Sequence, residues 1–224
     1  LEGFLKVWEF KSFLLQGTII TLQMTIGALI IGIILGMIVG MARISRNKIA
    51  KSLAGVYLTI IRGTPMLLQI LFIFVGIPQV TLLLTGTSIS FDPVMAGTIG
   101  IGINSAAYVA EIIRSGIQSI DQGQMEAARS LGLTHNQAMK HIILPQAFRN
   151  IIPPLGNEAI VLLKDTSLVS AIGGRELMNS AKIMGAKFYM YAEFLVGAAI
   201  VYLICTFFIS NVVSYTERRL KAND

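Results

Sequence analysis

The 224-residue chain is 54% hydrophobic, has a mean hydropathy of +0.71 and carries a formal net charge of +6. So apolar a composition excludes an ordinary water-soluble domain, and the positive charge sits between apolar stretches, where it argues for a membrane surface and not for nucleic acid. A lone cysteine, Cys205, excludes an internal disulfide and reads as a small packing residue.

Five crossings are predicted, at about 13–42, 57–84, 93–113, 152–173 and 191–215, because roughly 20 apolar residues cross a hydrocarbon core as a helix. Residues 12–42 contain no Asp, Glu, Lys, Arg or His, and neither do residues 194–215. The first span is too long, and lacks the cleavage pattern, for a signal peptide. It repeats small residues four apart, Ala28, Gly32, Gly36 and Gly40, a stripe that lets another helix approach closely. Packing inside the bundle is its expected use, with a dimer seam as the alternative. Arg62-Gly63-Thr64-Pro65 interrupts the second span, where exposed backbone can line a cavity. The third is rich in Gly and Ala (Gly97, Gly100, Gly102, Ala106, Ala107), which predicts a central position. Asn104, Ser105 and Tyr108 bring polar groups there, for helix-to-helix hydrogen bonds or for a solute. Glu111 and Arg114, three apart, are expected to pair within the helix.

A polar element at about 115–150 follows. Asp121 can cap a first helix, and Thr134 with Gln137 forms the capping-box pattern for a second. Gly132 between them suits the left-handed residue that ends a helix. Pro145 is expected to stop the second helix. Ala127, Ala128 and Leu131 give the first helix a small-residue face. Ala138, Met139, Ile142 and Ile143 give the second an apolar stripe, which can fold onto the chain's own membrane helices or enter a groove on a partner.

The fourth span contains Glu158, Lys164 and Asp165. A carboxylate such as Asp at the bilayer centre costs about 2.5–3.5 kcal/mol even on the lower scales, so such residues face a bundle interior or a cavity. With Pro153 and Pro154 read as the first helical turn, Glu158 and Asp165 fall on one face, Asn157 beside it and Leu162 along it. Glu158 is the leading candidate for contact with a solute; pairing with Arg62 or Lys164 is the structural alternative. Orientation follows from Lys and Arg. Arg43, Arg46, Lys48, Lys51, Arg114, Arg129, Lys140, Arg149, Arg218, Arg219 and Lys221 fall on one side, eleven against five (Lys6, Lys11, Arg175, Lys182, Lys187). The N-terminus is therefore expected outside and the C-terminus in the cytoplasm.

No G-x-x-x-x-G-K-[ST] phosphate loop and no nucleophile and base arrangement is present, so no catalytic residue is expected. His135 and His141 stand six apart without further His or a nearby Cys, and no metal site is expected.

Glu126-Ala127-Ala128, three residues, Gly132, nine residues, Ile142, one residue, Leu144-Pro145 resembles the EAA signature of permease subunits of ATP-driven (ABC) importers. The stretches at 60–78, 104–117 and 162–177 resemble the branch importing polar amino acids, the histidine, arginine and glutamine type. The resemblance implies an all-α, multi-pass protein built on the five-helix core of a type I ABC importer transmembrane domain. That is a single domain over 1–224, in a bacterial plasma (inner) membrane. It implies that the hairpin at about 115–150 is a coupling helix docking on an ATPase, with Glu126, Ala127, Ala128, Gly132 and Leu133 carrying the contact. The implied partners are two ATPase subunits that bind ATP and Mg (this chain holding no cofactor), a second copy or homologue of this permease, and an external solute-binding protein. The expected substrate-binding set is Glu158, Asn157, Asp165, Leu162, Ser105, Asn104, Tyr108 and Arg62. The carboxylate at 158 favours cationic substrates, arginine, lysine or histidine. A secondary transporter driven by an ion gradient is the main rival, but five spans do not divide into inverted repeats. A channel would need a filter motif, and none is visible.

Overall fold

The structure, a computed structural model, describes residues 2–221. Among these every regular element is helical. A short helix α1 (Glu2–Glu9) leads into α2 (Lys11–Ile44), α3 (Lys48–Gly63) and α4 (Met66–Thr85). Next come α5 (Pro93–Gln118) and α6 (Gln122–Ser130), then a helical run that reaches α7 (Leu144–Asp165) and continues as a 3₁₀ stretch, Thr166–Ile172. The chain closes with α8 (Leu177–Phe188) and α9 (Tyr191–Lys221). Four of these, α2, α4, α5 and α9, are long and apolar enough to cross a membrane. α7, the expected fourth crossing, is also long but is too polar to stand with those four.

α5 is the centre. Its packing against α2 is the most extensive in the molecule, and the small-residue stripe explains it. A Cβ added at Gly32 would lie 2.7 Å from Ser105 Oγ, and one at Gly36 would lie 2.7 Å from Val109. α5 reciprocates: a Cβ at Gly102 would lie 2.7 Å from Ile31. The stripe is thus used inside the chain, and the dimer-seam alternative has no free stripe to draw on. Met24, Ala28, Ile70, Ile101, Leu162 and Val169 fill the central core. A second cluster, Leu14, Leu177, Met184 and Phe194, packs α8 between α2 and α9. The remaining faces are apolar and open, for example Ile34, Ile38, Leu83, Phe207 and Phe208, as lipid-facing surfaces must be.

Three prolines depart from expectation. Pro145 does not stop a helix: His135–Ala138 passes into a π-turn, Met139–Ile143, and then directly into α7. A proline lacks an N–H, and its ring crowds the carbonyl four residues back. A π-turn shifts the hydrogen bonds to i→i+5 and moves that carbonyl away. The same pairing recurs in α4, where the π-turn Phe72–Gly76 precedes Pro78. Pro153 and Pro154 lie inside α7, not in its first turn. The predicted second crossing, 57–84, is two helices, because α3 ends at Gly63 and α4 begins after Pro65. Gln69 staples the break, its Nε2 donating to Ile61 O at 2.8 Å and to Thr64 Oγ1 at 2.8 Å.

Candidate functional site

Two polar constellations stand out among the helices, and they divide the predicted site. The first surrounds Glu158. α7 carries this residue, and α5 fixes its side chain: Ser105, completely buried, donates its hydroxyl to Glu158 Oε1 at 2.7 Å. Glu158 is 9% exposed. Among the described residues no other group bonds this carboxylate, and its second oxygen is not sealed in the interior. A carboxylate has about four acceptor positions, so most of its capacity is open. The expected ion pairs of Glu158 with Arg62 or Lys164 are not formed among the described residues, where Lys6 pairs with Glu9 and Arg114 with Glu111. Asn157, next to Glu158, is exposed, and Asp165 is half-buried. Leu162 is 1% exposed within the central core, so it packs and offers no surface to a solute.

The second is a cleft of about 520 Å³ between α3 and α5, lined by Arg43, Thr59, Arg62, Gly63, Tyr108 and Glu111 among others. Arg62 lies 5.7 Å from the centre of the Tyr108 ring, a cation–π distance. Tyr108 is 43% exposed, and Glu111 is held by Arg114 at 2.8 Å, the pairing expected from their spacing. Asn104 sits one turn from Tyr108 but points its amide at Gln69, Nδ2 donating to Oε1 at 3.0 Å. So Arg62 and Tyr108 come together, Ser105 and Glu158 come together, and Asn104 is engaged in holding α4.

The caps and the glycine turn of the hairpin follow the prediction, although its second helix runs on past Pro145. Asp121 accepts from the Gly123 N–H at 2.7 Å, and Thr134 and Gln137 form a reciprocal capping box. Gly132 has φ +87°. Around it, Leu133 N donates to Ala128 O at 3.2 Å and Gly132 N to Arg129 O at 3.0 Å, the paired bonds of a Schellman turn. Glu126 and Ala127 are exposed, Ala128 is buried, Leu133 is half-buried, and Leu131 is 83% exposed. The second helix turns Ala138 and Ile143 inward, so its apolar stripe is used by the chain itself.

One buried acid escapes sequence reasoning. Glu176 is fully buried at the start of α8, accepting from Met178 N and Asn179 N, each at 2.7 Å, and from the Tyr202 hydroxyl at 3.0 Å. Burial pushes its carboxyl above the usual range, against the pull of those two backbone N–H groups, the Tyr202 hydroxyl and Lys182. The only available signal is an acid following Gly173-Gly174, where one helix has just ended and another can be capped.

The chain aligns with known proteins over nearly its whole length. It is 40% identical over 212 residues to an arginine transport system permease protein of Bacillus subtilis (strain 168), covering 95% of this chain and 94% of that protein. It is 36% identical over 215 residues to a glutamine transport system permease protein of Escherichia coli (strain K12), covering 96% of each. The crystal structure of an amino acid ABC transporter with histidines superposes with a TM-score of 0.89 at 42% identity, covering 96% of this chain and 98% of that one. Residues 32–222 match the family of binding-protein-dependent transport system inner membrane components, and the chain belongs to that family.

Proposed function

We propose that the chain is one membrane half of an ATP-driven importer of polar amino acids in a bacterial plasma membrane. It pairs there with a second copy or a homologue. Two ATPase subunits bind ATP and Mg on the cytoplasmic side, and a solute-binding protein delivers substrate from outside. The N-terminus lies outside, α7 crosses as the fourth of five membrane helices, and the 122–143 hairpin faces the ATPase.

The observation that carries this reading is the hairpin. It sets one short capped helix, α6, against the capped start of the helical run that continues into α7, and Gly132 fixes the turn between them. One face is buried on the chain, while Glu126, Ala127 and Leu131 remain exposed on the other. That is the form of a rigid knob made for a groove on a partner. The polar amino acids follow from the relatives, named for arginine and glutamine transport and for histidines, and the open carboxylate of Glu158 favours a cationic one.

The test is transport into vesicles by the complex reconstituted with its ATPase, with and without ATP. Import that requires ATP supports the reading, and import driven by an ion gradient alone would sink it. Gly132→Val sharpens the test. A left-handed backbone costs an ordinary residue about 1–2 kcal/mol, and a β-branched one resists it more. ATP hydrolysis in this variant should lose its dependence on substrate while the transmembrane helices stay folded. Wild-type coupling would remove the hairpin from the docking role.

A further inference from the structure

A second cleft, of about 560 Å³, opens at the end of α2 and along α3, sharing Arg43, Gly55 and Thr59 with the polar cleft but turned toward Lys48 and Lys51. Its wall is one face of α3, Lys48, Lys51, Ser52, Val56 and Ile60, with Thr59 beside them returning its hydroxyl to Gly55 O and Arg43 of α2 facing it. These positions fall three and four apart, so they share one helical face about 18 Å long. The stripe is graded. Three cations and a hydroxyl occupy the end near the α2–α3 turn, and Val56 and Ile60, 54% and 57% exposed, occupy the end toward the membrane interior. No carboxylate lines it. Arg43 Nε is the one buried side-chain nitrogen or oxygen without a hydrogen-bond partner among the described residues. Gly55 lies beside it, and a Cβ there would be in ordinary contact, 3.4 Å, with an Arg43 guanidinium nitrogen.

From this arrangement we propose that the cleft binds an anionic phospholipid. The headgroup phosphate sits among Arg43, Lys48 and Lys51, and an acyl chain lies along Val56 and Ile60. The charge and the apolar surface occur in the order in which a lipid presents its own. A soluble anion would use the basic end and leave the apolar end bare. The inference rests on the membrane reading above only in placing this end of α3 at a bilayer surface.

The experiment is native mass spectrometry of the detergent-purified, delipidated complex titrated with phosphatidylglycerol or with phosphatidylcholine. Wild type should retain phosphatidylglycerol in preference. Each lysine near an anionic surface is worth about fivefold, so K48Q/K51Q should weaken phosphatidylglycerol retention roughly twentyfold to thirtyfold and leave phosphatidylcholine unchanged. R218Q/R219Q, which removes two charges from the end of α9, should change it little. Equal loss in both variants would reduce the effect to general charge and overturn the site, as would unchanged retention in K48Q/K51Q. Displacement of the lipid by inorganic phosphate would make it a soluble-anion site. A disulfide between protomers carrying Val56→Cys would show the groove covered by a second copy, and would also overturn the proposal. Because lipid is counted directly, failure here is separable from failure of ATP-driven transport in the same preparation.

Discussion

Glu158 and Glu176 are both buried carboxylates, 18 residues apart in sequence, and they are held in opposite ways. Glu176 receives three hydrogen bonds, two from the backbone of the helix it caps and one from Tyr202. Beside it, Thr21 Oγ1 accepts from Leu177 N at 3.1 Å. Three elements, α2, α8 and α9, are tied at that point. Glu158 receives one bond, from Ser105, and keeps an oxygen open. A saturated buried charge is part of the architecture. An unsaturated one at membrane depth is costly unless something completes it, and a substrate cation is the completion proposed here.

The largest effect is expected from Glu176→Ala. It removes an N-cap, worth about 0.5–2 kcal/mol, and takes the acceptor from the half-buried Tyr202 hydroxyl, worth up to about 1–3 kcal/mol more. The purified variant should melt well below wild type and assemble poorly, with the substrate preference of the surviving fraction unchanged. A variant that stays as stable as wild type but changes selectivity would reverse the roles assigned to the two acids.

Glu158→Gln comes next. The amide keeps the shape and can still accept from Ser105, but the charge is gone. Losing a charge-assisted contact costs about 1.5–3 kcal/mol, roughly ten- to more than a hundredfold in affinity for arginine or lysine. Neutral amino acids such as glutamine should lose much less. Competitive binding to the reconstituted complex reads this directly. An unchanged cation preference, or a collapse in stability, would return Glu158 to the structural class alongside Glu176.

The contrast between these acids also marks what the sequence makes legible. Glu158 can be singled out because a charge inside an apolar run has few places to go. The small-residue stripe of α2 and the Gly132 turn are equally readable, since each rests on a local rule of spacing or backbone conformation. Glu176 is hidden in a short polar segment that looks like a surface loop. Its burial depends on α8 folding back between α2 and α9, contacts that join residues as far apart as Thr21 and Leu177. The prolines mislead for a related reason: the rule that proline ends a helix assumes α geometry, and a π-turn ahead of Pro145 relaxes it. Spacing puts Asn104 on the right helix but leaves its role too open, because its partner Gln69 lies 35 residues away across an interrupted span.

The smallest effects test the comparison from its other partners. Tyr202→Phe removes one donor from Glu176 but leaves both backbone bonds, and Ser105→Ala removes the single donor to Glu158. Each deletes one hydrogen bond, for which about 1 kcal/mol, or roughly fivefold, is a fair expectation. The two losses should register in different measurements. In the saturated site the bond is part of the folded framework, so Tyr202→Phe should lower the melting temperature and spare substrate affinity. At the open site Ser105 orients a carboxylate whose other oxygen awaits a cation. Ser105→Ala should therefore weaken binding of arginine or lysine by a few fold with little change in melting temperature. Alanine adds no bulk against Gly32, so close packing of α2 on α5 is preserved. If both variants move stability alone, Ser105 and Glu158 are one more interhelical tie, and the cation must be recognised elsewhere, with Arg62 and Tyr108 marking the cleft to examine first.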